Sequence, residues 1–349
     1  MSPVDNRLNE IDLGALASWM AQQGLGRGRI EQPRLLAGGT QNLIVQFSLQ
    51  QRPFVLRKAA ASAYANGSET MRREARVLAA LASTDVPHAH LIAACAEEDV
   101  LGGAFYLMEP VDGFNVSVGM PKLHGGDPRL RRRMGFALVD GLAALRRVDY
   151  RAVGLEEFGR PDGFLERQVS RWRSQLESYQ HYPGWPGSAN LPEVDAIGTW
   201  LDRQRPQTFK PGILHGDYHI KNVLYRNTAA GLAAIIDWEL ATIGDPMIDL
   251  GWLLATWRDA DGAAGGTPIV IEPWQGFPTA TELVSYYAQC TGEDVSNARW
   301  YGVFACFKLA LLLEGTYARA CAGNVDSGVG REFHARALAL LRRAREWIV

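Results

Sequence analysis

Cysteine is scarce in this 349-residue chain: Cys95, Cys290, Cys306 and Cys321 are the only four. They form no C-x-x-C pair and no cluster with histidine. That spacing gives no basis for a zinc or redox site, and free thiols in a reducing, cytoplasmic compartment are the expectation. Long apolar runs are missing too. The longest, Val303 to Leu313, is too short to cross a bilayer, contains Lys308, and reads as a buried core helix. Met1 to Glu10 is polar and carries no secretory apolar run. Neither sign of charge dominates, since 36 basic against 38 acidic residues leave a net charge of −2. Global electrostatics therefore give no case for nucleic acid or a membrane surface as partner. The basic clusters Arg131-Arg132-Arg133, Arg146-Arg147 and Arg342-Arg343 read as solvated helix faces. The sequence has no G-x-x-x-x-G-K-[ST] loop, no G-x-S-x-G elbow and no H-E-x-x-H helix, which removes Walker-type phosphate binding and the common hydrolases. Gly24 to Gly28 resembles a dinucleotide fingerprint only superficially, because it follows a helical pattern and not a strand. There is no repeat or low-complexity tract.

What is present divides in two. Leu13, Leu16 and Met20 predict a helix over residues 11–25, and strands follow at Leu35 to Leu49 and Pro53 to Lys58, the first interrupted by Gly38-Gly39-Thr40-Gln41-Asn42. Met71, Ala75, Leu78 and Ala82 set the apolar stripe of a helix from Glu69 to Ala82, and Ala104 to Met108 reads as another strand. Beyond it helical periodicity dominates, over Pro128 to Val148, Asp162 to Tyr179 and Leu191 to Gln204. A short strand at Gly212 to His215 and a hairpin, Val223 to Tyr225 and Leu232 to Ile236, stand among these helices. The rest is helical except Asp259 to Pro278. An α+β chain is expected, with a strand-rich lobe over 1–112, a link at 108–112, and a larger helical lobe over 113–349.

The chemistry concentrates in His215-Gly216-Asp217-Tyr218-His219-Ile220-Lys221-Asn222 and Ile235-Ile236-Asp237-Trp238-Glu239. A strand delivers Asp217 to a loop, Asn222 opens the hairpin and Asp237 closes it, which predicts that Asn222 and Asp237 converge. An amide oxygen and a carboxylate are hard ligands that suit Mg²⁺. Asp217 is then left to orient a hydroxyl nucleophile, a division of labour that fits phosphoryl transfer. His215 reads as support for the loop, and His219 as a solvent-facing residue or a phosphate contact. Strand alternation sets Arg57 on one face and Lys58 on the other. Glu74 sits at the edge of its helix's apolar stripe, where pairing with Arg57 would account for it.

H-G-D-x-x-x-x-N, then I-D-W-E, then Gly244-Asp245-Pro246-Met247-Ile248-Asp249-Leu250 resembles the aminoglycoside phosphotransferase and choline-kinase-like family, relatives of protein kinases. The resemblance implies a protein-kinase-like two-lobed fold and an ATP- and Mg²⁺-dependent transfer to a small hydroxylated acceptor. Asp217 would be the catalytic base, Asn222 and Asp237 the Mg²⁺ ligands, and Asp249 a buttress of the loop. Gly38, Gly39, Thr40 and Asn42 would cover the phosphates, Arg57 would face the nucleotide in place of the kinase lysine, with Glu74 as its partner and Lys58 as fallback, and Glu109 and Val111 would offer hinge backbone to adenine. Further stretches, among them Phe105 to Glu109, Arg167-Gln168 with Trp172, and Phe277-Pro278-Thr279, resemble a branch found alone or fused to acyl-CoA dehydrogenases. That branch often carries arginine at the position of His219, aspartate at Lys221 and histidine at Arg146.

The acceptor is read from charge. Aminoglycosides are polycations, whereas the C-terminal stretch carries Arg336, Arg342, Arg343 and Arg345 against Glu346. Trp172, Trp185, Trp200, Trp252, Trp257 and Trp274 add aromatic surface, much of it expected in the core. The balance favours an apolar or anionic hydroxylated acceptor, such as a hydroxyacyl thioester. An aminoglycoside or macrolide kinase and a nucleotide-binding pseudokinase without turnover are the alternatives. Nothing in the sequence sets an oligomeric state.

Overall fold

The computed structural model describes residues 7–36, 42–60, 66–258 and 269–349. Gly38, Gly39 and Thr40 of the expected phosphate loop lie outside these residues. The chain divides into two compact units, one formed by residues up to Gly113 together with Ala233–Ala241, the other by Phe114–Leu232 and Thr242–Val349.

In the first unit, helix α1 (Leu13–Gln22) is capped by Asp12, whose carboxylate accepts from the Gly14 and Ala15 amides. Strands β1 (Glu31–Leu35), β2 (Asn42–Leu49), β3 (Arg52–Ala59), β4 (Leu91–Cys95) and β5 (Phe105–Met108) form one sheet in the order β1-β2-β3-β5-β4. All the strand pairings in it are antiparallel. Along β2 burial alternates strictly, so Leu43, Val45, Phe47 and Leu49 enter a core shared with Leu16, Trp19 and Met20 of α1. Helix α2 (Gly67–Leu81) buries Met71, Glu74, Ala75 and Leu78, one face at i, i+3, i+4 and i+7. The alanine-rich β4 gave no strand signal, since Leu-Ile-Ala-Ala-Cys has neither alternation nor a run of β-branched residues. It is held by its register on β5. Strand β8 (Leu232–Ile235) reaches this unit at its end, where Ile235 bridges His88 and donates its amide to Pro87.

The second unit contains helices α3 (Lys122–Gly126), α4 (Pro128–Arg147), α5 (Glu166–Ser178), α6 (Val194–Arg203), α7 (Met247–Thr256), α8 (Ala280–Thr291), α9 (Ala298–Cys321) and α10 (Ser327–Ile348). Strands β6 (Gly212–Leu214) and β9 (Thr242–Gly244) pair antiparallel, and β7 (Val223–Tyr225) ends in a turn closed by the Arg226 amide on the Gly231 carbonyl. Three residues are too few to carry a period, and so β9 was not legible in the sequence. Helix α7 is buried along its whole length, and α9 is buried on nearly all sides, as expected for the Val303–Leu313 run. Their close approach requires Gly251, where an added Cβ would lie 2.4 Å from the Tyr301 carbonyl oxygen.

The basic clusters are not simply solvated faces. Arg131 is buried and donates to the carbonyls of Gln275, His124 and Gly125. Arg343 is buried and donates to Trp257 O, and Arg146 pairs with Glu293 at 2.5 Å. Each cluster thus sends one guanidinium inward: those of Arg131 and Arg343 satisfy backbone carbonyls with their fixed donors, and that of Arg146 meets a carboxylate.

Candidate active site

Two groups of side chains hold the sequence-predicted residues, one in each unit. In the first, β3 sends Arg57 inward. Its Nε stands 3.0 Å from Glu74 Oε2, and its Nη2 donates to Glu74 Oε1 at 3.1 Å and to Asp237 Oδ1 at 2.5 Å. Tyr106 on β5 donates its hydroxyl to Glu74 Oε2 at 2.7 Å. Glu74 is 1% exposed, and burial pushes its carboxyl up to about 7 against the opposing pull of Arg57 and the Tyr106 hydrogen bond. Burial also works against the Arg57 charge, but Glu74, Tyr106 and Asp237 outweigh it and hold the guanidinium more firmly protonated. Arg57, not Lys58, therefore meets the two carboxylates; the Lys58 ammonium donates to the Ala59 carbonyl.

Asp237 takes a left-handed backbone, φ 68° and ψ 62°, which aspartate tolerates better than most residues. The turn aims its carboxylate back toward Arg57 and ends the strand. Ligand oxygens of Glu74, Asp237 and Glu239 lie within 4.8 Å of one another. Glu74 is buried between Arg57 and Tyr106, whereas Asp237 and Glu239 are only half-buried, which makes them the carboxylates of this group better placed to meet a hard cation. Glu239 was not singled out in the sequence, although its place two residues past Asp237 in I-D-W-E was a signal. In the stretch expected as a hinge, the Glu109 amide donates to the His90 carbonyl at 2.9 Å, and Val111 is half-buried two residues on. Asn42 opens β2, its carbonyl accepting from Arg7.

In the second unit the loop after β6 is held from beneath. Gly216 takes φ 87°, a conformation open to glycine, and this turns its amide and that of His215 onto one acceptor. Asp249 is that acceptor: Oδ2 receives His215 N–H at 2.6 Å and Oδ1 receives Gly216 N–H at 2.9 Å. Burial raises the Asp249 pKa, with His215 and the two amides opposing the rise. His215 is fully buried, and its Nδ1 accepts the Asp217 amide at 3.3 Å.

Asp217, half-buried, is gripped at both oxygens. Oδ1 accepts the Trp252 indole N–H at 2.6 Å, and Oδ2 accepts Asn222 Nδ2–H at 2.9 Å. Asn222 Nδ2 also donates to the Asp217 carbonyl at 3.0 Å. The amide nitrogen is thereby used by Asp217, and Oδ1 of Asn222 is the atom left for a cation. His219 is not solvent-facing: its Nδ1 accepts the Lys221 amide, and its Nε2 stands 3.4 Å from Asp217 Oδ1. Burial lowers its pKa, with Asp217 opposing. Asn115 fixes the end of the loop, donating to the carbonyls of Lys221 and Val223 at 2.7 and 3.1 Å. Lys308 of α9 donates to the Gly216 carbonyl at 3.3 Å, its ammonium 4.4 Å from the Trp252 ring centre and 5.3 Å from that of Trp172. Burial lowers its pKa to about 8, with Asp217 and Asp249 opposing. Lys308 and Trp252 were legible only as an interruption of an apolar run and as one tryptophan among several.

The order of these parts can be compared with known proteins. A crystal structure of a candidate aminoglycoside phosphotransferase from Ralstonia eutropha superposes with a TM-score of 0.76 at 28% identity, covering 96% of this chain and 99% of that one. Aminoglycoside phosphotransferase APH(4)-Ia, in a ternary complex with ADP and hygromycin B, gives 0.59 at 14% identity over 94% and 98%, a likeness of fold. The fold is thus the protein-kinase-like fold of the aminoglycoside phosphotransferases, a mixed α+β architecture. Residues 33–270 match the phosphotransferase enzyme family, and the chain belongs to it, which makes this a kinase-type protein.

Curated relatives point to one branch. Acyl-CoA dehydrogenase family member 10 of mouse is 27% identical over 307 residues, covering 84% of this chain and 27% of that protein. Family member 11 of rat is 30% identical over 290 residues, covering 80% and 36%. This chain therefore spans only about a quarter to two-fifths of the length of such relatives. Among the described residues no helix is long and apolar enough to cross a membrane.

Proposed function

We propose that this protein transfers the γ-phosphate of ATP to a hydroxyl of a small molecule. The observation that carries the reading is the double hold of Asn222 on Asp217, which fixes the carboxylate and turns the amide oxygen away from it. Asp217 is the base that accepts the acceptor's hydroxyl proton as the oxygen attacks phosphorus. Asn222 and Asp237 would be the Mg²⁺ ligands, and Glu239 would add a carboxylate beside Asp237. The ion, when bound, would neutralise phosphate charge. Arg57 binds phosphate as a fixed cation aligned by Glu74, and its planar fork takes the role usually given to a lysine. Gly38, Gly39, Thr40 and Asn42 cover the phosphates, and Glu109 and Val111 offer backbone to adenine. Residues 1–112 thus serve the nucleotide, while 113–349 carry the loop and the acceptor. The ADP of the APH(4)-Ia complex supports nucleotide use.

For the acceptor we favour an apolar or anionic hydroxylated metabolite such as a hydroxyacyl thioester. Lys308 and Arg171 both stand over Trp172, at 5.3 and 5.7 Å from its ring centre, beside the loop that carries Asp217. Two cations there disfavour a polycation, and the names of the curated relatives tie the branch to acyl-CoA metabolism. The four cysteines, none of them in a disulfide, support a reducing, cytoplasmic setting.

The test is ADP release from MgATP with panels of hydroxyacyl-CoA esters and aminoglycosides. Turnover with the former and none with the latter supports the assignment; the reverse moves it to antibiotic modification. MgATP binding without ADP release from any acceptor would make this a pseudokinase.

A further inference from the structure

Helix α7 carries Asp249 and Trp252 three residues apart, so both project from one face toward the loop. Asp249 fixes the loop's backbone through the His215 and Gly216 amides. Trp252 fixes the side chain at the centre of that loop, through a 2.6 Å hydrogen bond from its indole nitrogen to Asp217 Oδ1. A short N–H···O contact to a carboxylate is charge-assisted and stronger than a neutral one. Trp252 is itself 3% exposed, so the indole cannot swing away without opening the core.

Lys308 reaches the same point from α9. Its ammonium lies over the face of the Trp252 ring at 4.4 Å and donates to the Gly216 carbonyl, whose own amide Asp249 holds. A cation on the π face draws electron density from the indole and makes its N–H a better donor, here aimed at Asp217. Among the described residues, one carbonyl and two indole faces surround the ammonium, with Asp217 and Asp249 as opposing charges. Arg171, which stands over Trp172, is a like charge that opposes the ammonium.

We propose that Trp252 and Lys308 are positioning residues for Asp217, the indole N–H fixing Oδ1 and the ammonium locking both the indole and the Gly216 carbonyl. The inference rests on the reading of Asp217 as base. It assigns a division within the carboxylate: Oδ1 is anchored by Trp252 and also faces His219 Nε2 at 3.4 Å, while Oδ2 accepts only from Asn222 among the described residues and keeps a lone pair for a hydroxyl proton.

The test uses the full chain with ¹⁵N-labelled tryptophan. Trp252→Phe identifies the Trp252 indole resonance, which is expected downfield of the other indoles. Asp217→Asn should move it upfield, Lys308→Met should move it in the same direction by less, and Lys308→Arg should restore it. In ADP release, Trp252→Phe and Lys308→Met should lower kcat on the order of tenfold to a hundredfold, with the KM for ATP within about twofold. A Trp252 indole resonance that ignores Asp217→Asn would overturn the proposal, as would full kcat in Lys308→Met. The indole readout needs no turnover, so a wild-type protein that releases no ADP would sink the phosphotransferase reading alone.

Discussion

One guanidinium facing two carboxylates of very different burial gives a sharp expectation. Glu74 is 1% exposed at its side chain and Asp237 34%, yet both touch Arg57. At about pH 8.5, above the Glu74 pKa of about 7, Glu74→Gln keeps the shape but removes the charge, and it brings an amide N–H against the Arg57 donors. Breaking a buried pair by removing one partner costs about 3–5 kcal/mol, because the surviving charge stays buried. Asp237 still meets Nη2, which places the loss near the lower bound, about 3 kcal/mol, or on the order of a hundredfold in the folded-to-unfolded ratio. Asp237→Asn breaks a contact that water can replace, and Glu74 still holds Arg57, so less than about 1 kcal/mol is expected. Replacing the whole pair, Arg57→Met with Glu74→Leu, should recover to within about 1 kcal/mol of wild type, since no uncompensated charge stays in the core. Urea unfolding followed by circular dichroism and by tryptophan fluorescence measures all three, both probes being needed because two units need not unfold together. Equal losses for Glu74→Gln and Asp237→Asn, or a double variant worse than the single, would refute the reasoning.

Further outcomes follow from the same geometry. Asp217→Asn should lower ADP release by about 10²- to 10⁴-fold, the range for a lost general base, and full activity would remove Asp217 from that role. Asp249→Ala leaves the His215 and Gly216 amides unpaired and buried, about 1–3 kcal/mol each, with faster hydrogen exchange at those two amides as the direct readout. Gly251→Ala drives a methyl into the Tyr301 backbone and should destabilise by about 1–3 kcal/mol in thermal unfolding; a neutral result would mean that α7 and α9 can separate freely. Glu282, bonded to Arg132 and to the Thr279 amide, has its carboxyl held down to about 2 from 4.5. A depressed carboxyl stabilises above its unfolded pKa and stops doing so as pH falls toward 2. Glu282→Gln should therefore be less stable than wild type at pH 7, with the difference shrinking below pH 4.5 and mostly gone by pH 2.

Much of this was legible because it is local. The α2 stripe, the strict alternation of β2 and the H-G-D-x-x-x-x-N spacing depend on periods of 3.6 and 2 or on a single loop. The pairing of Arg57 with Glu74 was also foreseeable, since an unpaired carboxylate at the edge of an apolar stripe needs a partner. Strands β4 and β9 were not, because an alanine-rich segment and a three-residue segment take their conformation from the strands they pair with. Nor was the inward turn of Arg131, Arg146 and Arg343, since a run of arginines looks the same whether or not one finds buried carbonyls or a carboxylate.

By itself the sequence determined the chemical types at the site: a carboxylate ahead of an amide at a five-residue spacing, a second carboxylate ending the next strand, and an arginine on β3. Which groups restrain the base was decided by tertiary structure alone. Trp252 and Lys308 lie 35 and 91 residues beyond Asp217 in the chain, and only the packing of α7 against α9 brings an indole N–H and an ammonium to one loop. No local period records such a contact, because its partners are chosen by burial and by the hydrogen bonds that burial makes obligatory.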